Sequence, residues 1–228
     1  MLFMFISLDH CVYVSDFFSY CCVQQGLGRV ASLALALGII WGFHVSFSGM
    51  LLVHHFVVSF PLLDTILGGA RVALLLRWCI YMVLLSTFHL LEFFTTAIYN
   101  PSVAASESFL VNHSIGYTAA FLTSTTEFWL RFLVFPSFQS STCTIVGFVM
   151  VILAQAIRSL AMCTAGESFN HRIQTSKKDN HVLVTHGIYS KLRHPSYVGF
   201  YYWSIVSGNY RCWVSSIHIL VDGSFSNI

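Results

Sequence analysis

Long apolar runs separated by short polar breaks dominate the sequence, and they predict membrane-spanning helices. The four runs cover residues 30–60, 71–99, 109–135 and 142–163. Each is long enough for a transmembrane helix, which needs about 20 mostly apolar residues. Pro and Gly residues in the breaks mark turns, and short connections favour antiparallel neighbours. The pattern therefore predicts an all-α fold, a polytopic transmembrane helical bundle.

Composition agrees with this class. Of the 228 residues, 56% are hydrophobic and 9% are charged, and the mean hydropathy is +0.73. A soluble domain carries about a quarter charged residues. The net charge of +2 is too small to indicate a nucleic-acid partner. Seven Cys residues include no Cys-x-x-Cys pair, so the sequence predicts no zinc or redox-active cysteine site and no metal.

The polarity of the chain changes at residue 165. Five of the eleven Lys and Arg residues fall in the next 29 positions, namely Arg172, Lys177, Lys178, Lys191 and Arg193. Basic loops stay on the cytosolic side of a membrane. We therefore place residues 165–193 in the cytosol. The predicted organisation is an N-terminal segment (1–29), transmembrane helices (30–164), and a cytosol-facing segment that continues into the start of the next membrane helix (165–205). Counting back through four spans puts the N-terminus in the cytosol too.

One short motif in this segment can begin a helix. Proline is favoured at the first helical position, so Pro195 predicts a helix with His194 at its N-cap. The free N–H groups at a helix start attract an anion, and Tyr197 would add a hydroxyl and a ring one turn later. The alternative is that Pro195 only starts a membrane helix and His194 only caps it. The four residues by themselves leave both interpretations open.

Residues before this motif offer a second kind of chemistry. Leu183 and Val184, next to His181, could form an apolar floor for a planar base whose edge is read by main-chain groups. Gln174 can donate and accept hydrogen bonds, and Tyr189 can stack or donate. The alternative is an ordinary turn at residues 185–187 that joins two elements.

In their order, these residues resemble isoprenylcysteine carboxyl methyltransferases. The resemblance covers about residues 70–205. Its downstream elements are Phe169-Asn170-His171, Gln174, His181-Val182-Leu183-Val184-Thr185, Gly187-Ile188-Tyr189 and Arg193-His194-Pro195-Ser196-Tyr197-Val198-Gly199. Upstream, the family pattern also fits Phe88-His89, Glu92, Asn100-Pro101, Asn112-His113-Ser114, Glu127 and Phe128. Phospholipid methyltransferases share Arg-His-Pro-x-Tyr-x-Gly, and membrane sterol reductases do so more loosely. The Phe-Asn-His and His-x-Leu-Val-Thr elements narrow the match.

The resemblance implies an enzyme of the endoplasmic reticulum membrane, multi-pass, that uses S-adenosylmethionine as its cofactor. Its substrates would be prenylated CaaX-type proteins after proteolysis, methylated on the α-carboxylate of the C-terminal prenylcysteine, with membrane lipid as a further partner. The implied cofactor contacts are Gln174, His181, Val182, Leu183, Val184, Tyr189, His194, Pro195, Ser196 and Tyr197. A carboxylate is ionised at neutral pH, so the reaction needs positioning and no general base.

Three other functions compete with this one. Phospholipid N-methyltransfer needs a base for its ammonium, yet Asp179 is the sole acidic residue between Gln174 and Tyr197. A membrane reductase needs a basic cluster for NADPH, for which Lys177-Lys178 is a candidate. A truncated, inactive membrane isoform is the third alternative.

The third alternative arises from the tail, residues 206–228. The resemblance implies further membrane helices there, then an Arg near the substrate carboxylate and Glu residues near the cofactor. No Glu follows Glu167, so the catalytic residues stay unassigned. We therefore expect weak or absent turnover from a chain with this tail.

Three predictions concern single side chains in the apolar runs. Glu127 and Arg131 are four residues apart, which predicts an ion pair on a helix surface. Arg158 is expected to face the bundle or the membrane interface. Asn112 is expected to cap a helix.

Overall fold

The computed structural model describes residues 26–56, 67–111, 114–134, 136, 141–171 and 182–211. These residues form five α-helices: α1 (Leu27–Phe56), α2 (Gly69–Tyr99), α3 (Ile115–Val134), α4 (Ser141–Ala165) and α5 (Pro195–Arg211). Short 3₁₀ turns lie at Pro101–Val103, Ser106–Phe109, Gly166–Ser168 and Gly187–Ser190. The described residues contain no β-strand, and the predicted all-α fold is confirmed.

The third helix begins later than the apolar run predicts. Its predicted start at residue 109 is the end of a 3₁₀ turn, and the next residue, Leu110, has a left-handed φ of 57°. A left-handed residue cannot lie within a right-handed helix. The helix begins instead at Ile115, where Ser114 Oγ accepts a hydrogen bond from Tyr117 N–H at 3.1 Å. The predicted cap, Asn112, lies outside the described residues.

Three of the described helices are long and apolar enough to cross a membrane. The stretches are Leu27–His54, Gly69–Tyr99 and Thr144–Ser168, in α1, α2 and α4. The third predicted span is not among them, because α3 has a polar run at residues 123–127 and a basic residue at Arg131. The placement of the N-terminus depended on four spans, and it stays a prediction.

Helix α2 packs against the other described helices. The main cluster joins α2 to α4 and α5, a second joins α2 to α1, and a third joins α2 to α3. Their buried residues are Tyr81, Leu85, Phe88, Leu110, Val151, Ala154 and Trp203 in the first, Leu51, Val72 and Cys79 in the second, and Leu74 and Phe128 in the third. The middle of α5, at Trp203, is therefore held in the interior by apolar contacts with two long helices.

The backbones of α4 and α5 touch at Gly199. A Cβ atom at this position would lie 2.7 Å from Arg158 N and 2.9 Å from Ala154 O. Such distances are shorter than van der Waals contact, so no larger side chain fits without separating the helices. This close approach brings the first turn of α5 next to Arg158.

Candidate functional site

A buried ion pair lies where α2, α4 and α5 meet. Arg158 Nε is 2.8 Å from Glu92 Oε1, and Arg158 Nη2 is 2.8 Å from Glu92 Oε2. The side chains are 8% and 0% exposed. Two parallel bonds of this kind fix the guanidinium relative to the carboxylate. The prediction that Arg158 faces the bundle or the interface is confirmed, and it is the bundle that it faces.

The same guanidinium also binds the first turn of α5. Arg158 Nη1 donates to Ser196 main-chain O at 3.2 Å and to Ser196 Oγ at 2.5 Å. The rings of Phe169 and Phe200 lie 5.6 and 5.5 Å from Arg158 Cζ. Aromatic rings at this distance attract a cation and keep water away from it. Arg158 thus connects an acid on α2 with the start of α5.

The chain that follows α4 is anchored to the end of α2. His171 Nδ1 is 3.7 Å from Glu92 Oε2, and His171 Nε2 is 3.0 Å from Thr96 Oγ1. The Thr96 hydroxyl donates to Glu92 main-chain O, so it accepts from His171 Nε2. Asn100 Nδ2 donates to the main-chain oxygens of Glu167 and of Phe169, each at 2.9 Å. These bonds hold residues 167–171 beside the ion pair.

Residues 182–184, proposed as an apolar floor, have no regular secondary structure. Val182 is 67% exposed and Leu183 is 84% exposed, and Val182 N–H donates to Ser168 Oγ at 3.3 Å. Within the described part of the chain, the main-chain groups of Leu183 and Val184 make no hydrogen bond. Among the described residues, the segment is therefore tied at Val182 to the 3₁₀ turn after α4, and beyond it presents apolar side chains and peptide groups without a described partner.

Tyr189 lies in the 3₁₀ turn that packs on α4. Burial raises the pKa of its phenol, and the positive charge of Arg158 opposes part of that change. The phenol is therefore protonated at neutral pH and can donate a hydrogen bond. The turn begins at Gly187, whose φ of 58° suits glycine and whose Cβ would lie 2.9 Å from Thr164 Cγ2.

Helix α5 begins at Pro195, as predicted. Val198 N–H donates to His194 main-chain O at 3.1 Å, which places His194 at the N-cap. Pro195 and Ser196 are buried, whereas His194 and Tyr197 are exposed and their ring centroids are 6.2 Å apart. The four residues of the motif therefore divide into an inward pair and an outward pair.

The structure describes eight of the ten predicted cofactor contacts. Gln174 and His181 lie outside the described residues. The structure brings Tyr189 and Ser196 towards Arg158, while Leu183 points to the surface.

The role of Glu92 was missed from the sequence. Glu92 and Arg158 are an acid and a base within two apolar helices, and ionisable groups in such places pair with one another. The presence of one acidic and one basic residue within two apolar helices could therefore have predicted their contact from the sequence. The predicted Glu127–Arg131 pair is confirmed, with Arg131 Nη2 at 3.1 Å from Glu127 Oε1.

Two comparisons with known proteins agree on one family. The model of the isoprenylcysteine carboxyl methyltransferase (ICMT) family matches residues 145–220. The solved structure of the eukaryotic intramembrane Ras methyltransferase ICMT, without a monobody, is 30% identical with a TM-score of 0.61, and the match covers 89% of this chain and 77% of that one. The chain belongs to the isoprenylcysteine carboxyl methyltransferase family. The sequence resemblance to this family is therefore confirmed.

Curated members of the isoprenylcysteine carboxyl methyltransferase family are similar over a shorter stretch. Proteins named protein-S-isoprenylcysteine O-methyltransferase are 47% identical in Homo sapiens and 46% in Xenopus laevis, each over 126 residues. The Saccharomyces cerevisiae protein is 44% identical over 133 residues. The matches cover 55% of this chain in each case, and 44%, 44% and 56% of the three relatives. The chain thus matches about half the length of these relatives.

The family match includes most of α4, the segment at 182–194 and α5. All ten predicted cofactor contacts, from Gln174 to Tyr197, lie within the matched residues 145–220. The match also continues past residue 205, where the sequence was expected to depart from the family pattern. Residues 212–228 of that tail lie outside the described part of the structure.

Proposed function

We propose that this chain acts in S-adenosylmethionine-dependent methylation of the prenylcysteine α-carboxylate of prenylated CaaX-type proteins after proteolysis. The observation that carries the proposal is the family membership, combined with the position of all ten expected cofactor contacts inside the family match. The relatives' name, protein-S-isoprenylcysteine O-methyltransferase, supports the same reaction. The endoplasmic reticulum membrane is the proposed location, with a multi-pass arrangement.

The described residues fit the cofactor chemically. An adenine ring needs an apolar surface and main-chain groups along its edge, and Val182, Leu183 and Val184 offer both. The cofactor's carboxylate needs N–H donors, which the first turn of α5 supplies next to His194 and Tyr197. Gln174 and His181 complete the proposed contact set.

Two of the proposed contacts are buried, which bears on how they would act. Pro195 and Ser196 are buried, and the Ser196 hydroxyl binds Arg158. We assign both residues to the cofactor site through their main chain and through the shape of the turn. Tyr189, protonated at neutral pH, is the proposed side-chain donor.

Methyl transfer to a carboxylate needs no general base, because no proton has to be removed from the nucleophile. The cofactor supplies an electrophilic methyl group, and the carboxylate is already the nucleophile at neutral pH. The protein's contribution is to hold the two reactants in line and to keep water out. A prenyl chain gains about 0.8 kcal/mol for each buried CH₂ group, so its route is through lipid and the apolar helix faces.

Transfer of a labelled methyl group tests the proposal. Membranes containing the full chain receive methyl-labelled S-adenosylmethionine with N-acetyl-S-farnesylcysteine or with phosphatidylethanolamine as acceptor. We expect label on the farnesylcysteine carboxylate, weak because of the tail at residues 206–228, and none on the phospholipid. Label on the phospholipid amine would contradict the proposal. Cofactor binding without any transfer would contradict the enzymatic part and match an inactive isoform.

Cofactor binding is tested separately with purified protein. We expect S-adenosylmethionine to bind and NADPH not to bind. Leu183→Asp should weaken binding about tenfold, because a charge at an apolar contact costs roughly 1–3 kcal/mol. The matched control is Ile115→Asp, another exposed apolar residue, 91% accessible and outside the proposed site. Equal binding by both variants would exclude Leu183 from the site.

A further inference from the structure

One chain of side-chain contacts in the bundle starts outside the proposed cofactor site and ends at one of its residues. Glu92 on α2 binds Arg158 on α4, and Arg158 binds Ser196 in the first turn of α5. Each link is buried. Both carboxylate oxygens of Glu92 are used by Arg158, one for Nε and one for Nη2. Nη1 is the guanidinium nitrogen directed at α5.

The orientation of Arg158 depends on Glu92. An arginine side chain has many rotamers, and a guanidinium without a buried acceptor turns towards water. The two bonds to Glu92 remove that freedom and aim the third nitrogen at the main-chain oxygen and hydroxyl of Ser196. Loss of the carboxylate would therefore release Ser196 although Ser196 itself is unchanged.

A second contact also makes the start of α5 sensitive to the position of Arg158. Gly199 lets the backbone of α5 touch the backbone of α4 at Arg158, so a shift of Arg158 is transmitted directly. Glu92 Oε2 also faces His171 Nδ1 at 3.7 Å, on the stretch of chain that leads to Gln174. One carboxylate is thus linked to both sequence neighbourhoods of the proposed site, to the first through His171 and to the second through Arg158.

We propose that Glu92 is a positioning residue for the cofactor site: it holds Arg158 in the orientation that fixes Ser196 and the first turn of α5. The inference rests on the proposed function, because that turn is part of the proposed cofactor contact set. In this proposal Glu92, whose side chain is 0% exposed, touches neither reactant. Its removal should raise the cofactor Kd.

Three variants of the full chain separate positioning from a structural role. Glu92→Gln keeps the size of the side chain but replaces one acceptor oxygen by a donor that faces Arg158. The double variant Glu92→Leu with Arg158→Met removes both buried charges, which commonly preserves or raises stability. Glu127→Gln is the matched control, the same exchange in a partly exposed pair whose side chains are 19% and 31% accessible.

Three quantities are measured for each variant: the Kd for S-adenosylmethionine, the midpoint of thermal unfolding, and hydrogen exchange at the Val198 amide, which donates to His194 O. For Glu92→Gln we expect about a tenfold rise in Kd, the size of one hydrogen bond to a charged group, and faster exchange at Val198. The double variant should recover the unfolding midpoint and keep the weak binding, since Ser196 still lacks its partner. Glu127→Gln should change neither Kd nor exchange.

Two results would overturn the proposal. One is a double variant that recovers both the unfolding midpoint and the cofactor Kd, which would make the pair purely structural. The other is unchanged exchange at Val198 in Glu92→Gln. If the unaltered chain does not bind S-adenosylmethionine, the proposed function fails. The exchange measurement then still decides whether Glu92 fixes the start of α5.

Discussion

Two Glu–Arg pairs in this molecule share their chemistry and differ in what they hold together. Glu92 and Arg158 are 66 residues apart, join two helices through two bonds of 2.8 Å, and are 0% and 8% exposed. Glu127 and Arg131 lie within α3, share one contact of 3.1 Å, and are 19% and 31% exposed. The first pair determines how three helices meet, whereas the second lies on the surface of one helix. Burial and connectivity, rather than charge, decide what such a pair does.

The largest expected effect comes from breaking the buried pair on one side. Glu92→Ala leaves Arg158 as a buried charge without its main partner, which typically costs about 3–5 kcal/mol. Chemical denaturation in a mild detergent measures the free energy of unfolding. A loss below about 1 kcal/mol would place water or a second acceptor beside Arg158, and the contrast between the two pairs would disappear.

The packing around the buried pair gives the next effect. Gly199→Ala places a methyl group 2.7 Å from the main-chain nitrogen of Arg158, and overpacking of this kind costs about 1–3 kcal/mol. Gly42→Ala in α1 is the matched control, since nothing lies within 4 Å of its Cβ position. At position 42 the better helix propensity of Ala should raise the free energy of unfolding by as much as about 1 kcal/mol. Opposite signs of the two changes are expected in the same denaturation assay, and equal signs would contradict the close approach of α4 and α5.

Hydropathy, with the Pro and Gly residues in the breaks, located α2 and α4 within two residues at each end, because long apolar helices repeat one signal along their length. It misplaced the start of α3, since a 3₁₀ turn and the left-handed Leu110 do not alter hydropathy. The order of motif residues identified the family. The partner of Arg158 was not found, because sequence order does not show which positions on α2 and α4 face each other.

Within the proposed cofactor motif, too, the sequence predicts local structure but not the contacts between helices. Pro195 was placed correctly at the first position of α5, because its missing N–H is a local property. The inward direction of Ser196 follows from the contact of α5 with Arg158, which is a property of the packed bundle. Local chemistry could therefore be predicted from the sequence, and the link between Glu92 and the site required the structure.

A smaller effect is expected from the α5 end of the buried pair. Ser196→Ala removes the hydroxyl that binds Arg158 Nη1 but keeps the main-chain acceptor of the same residue. Hydrogen bonds to charged groups contribute about 1.5–3 kcal/mol, so we expect a loss near the lower end, about 1.5 kcal/mol. Ser204→Ala, which removes a bond within α5 to Phe200 O, should cost less. Equal losses would mean that Arg158 gains nothing from the Ser196 hydroxyl.

The smallest effect is expected for the exposed pair, and it also reports on the surroundings of α3. In water, a Glu–Arg pair four residues apart stabilises a helix by about 0.2–0.5 kcal/mol and weakens with salt. Glu127→Ala should therefore cost no more than this, and the difference should shrink in high salt. A loss above about 2 kcal/mol that salt does not change would mean that the pair is shielded from water. Because both side chains of the pair are partly exposed, at 19% and 31%, we expect the small, salt-sensitive result.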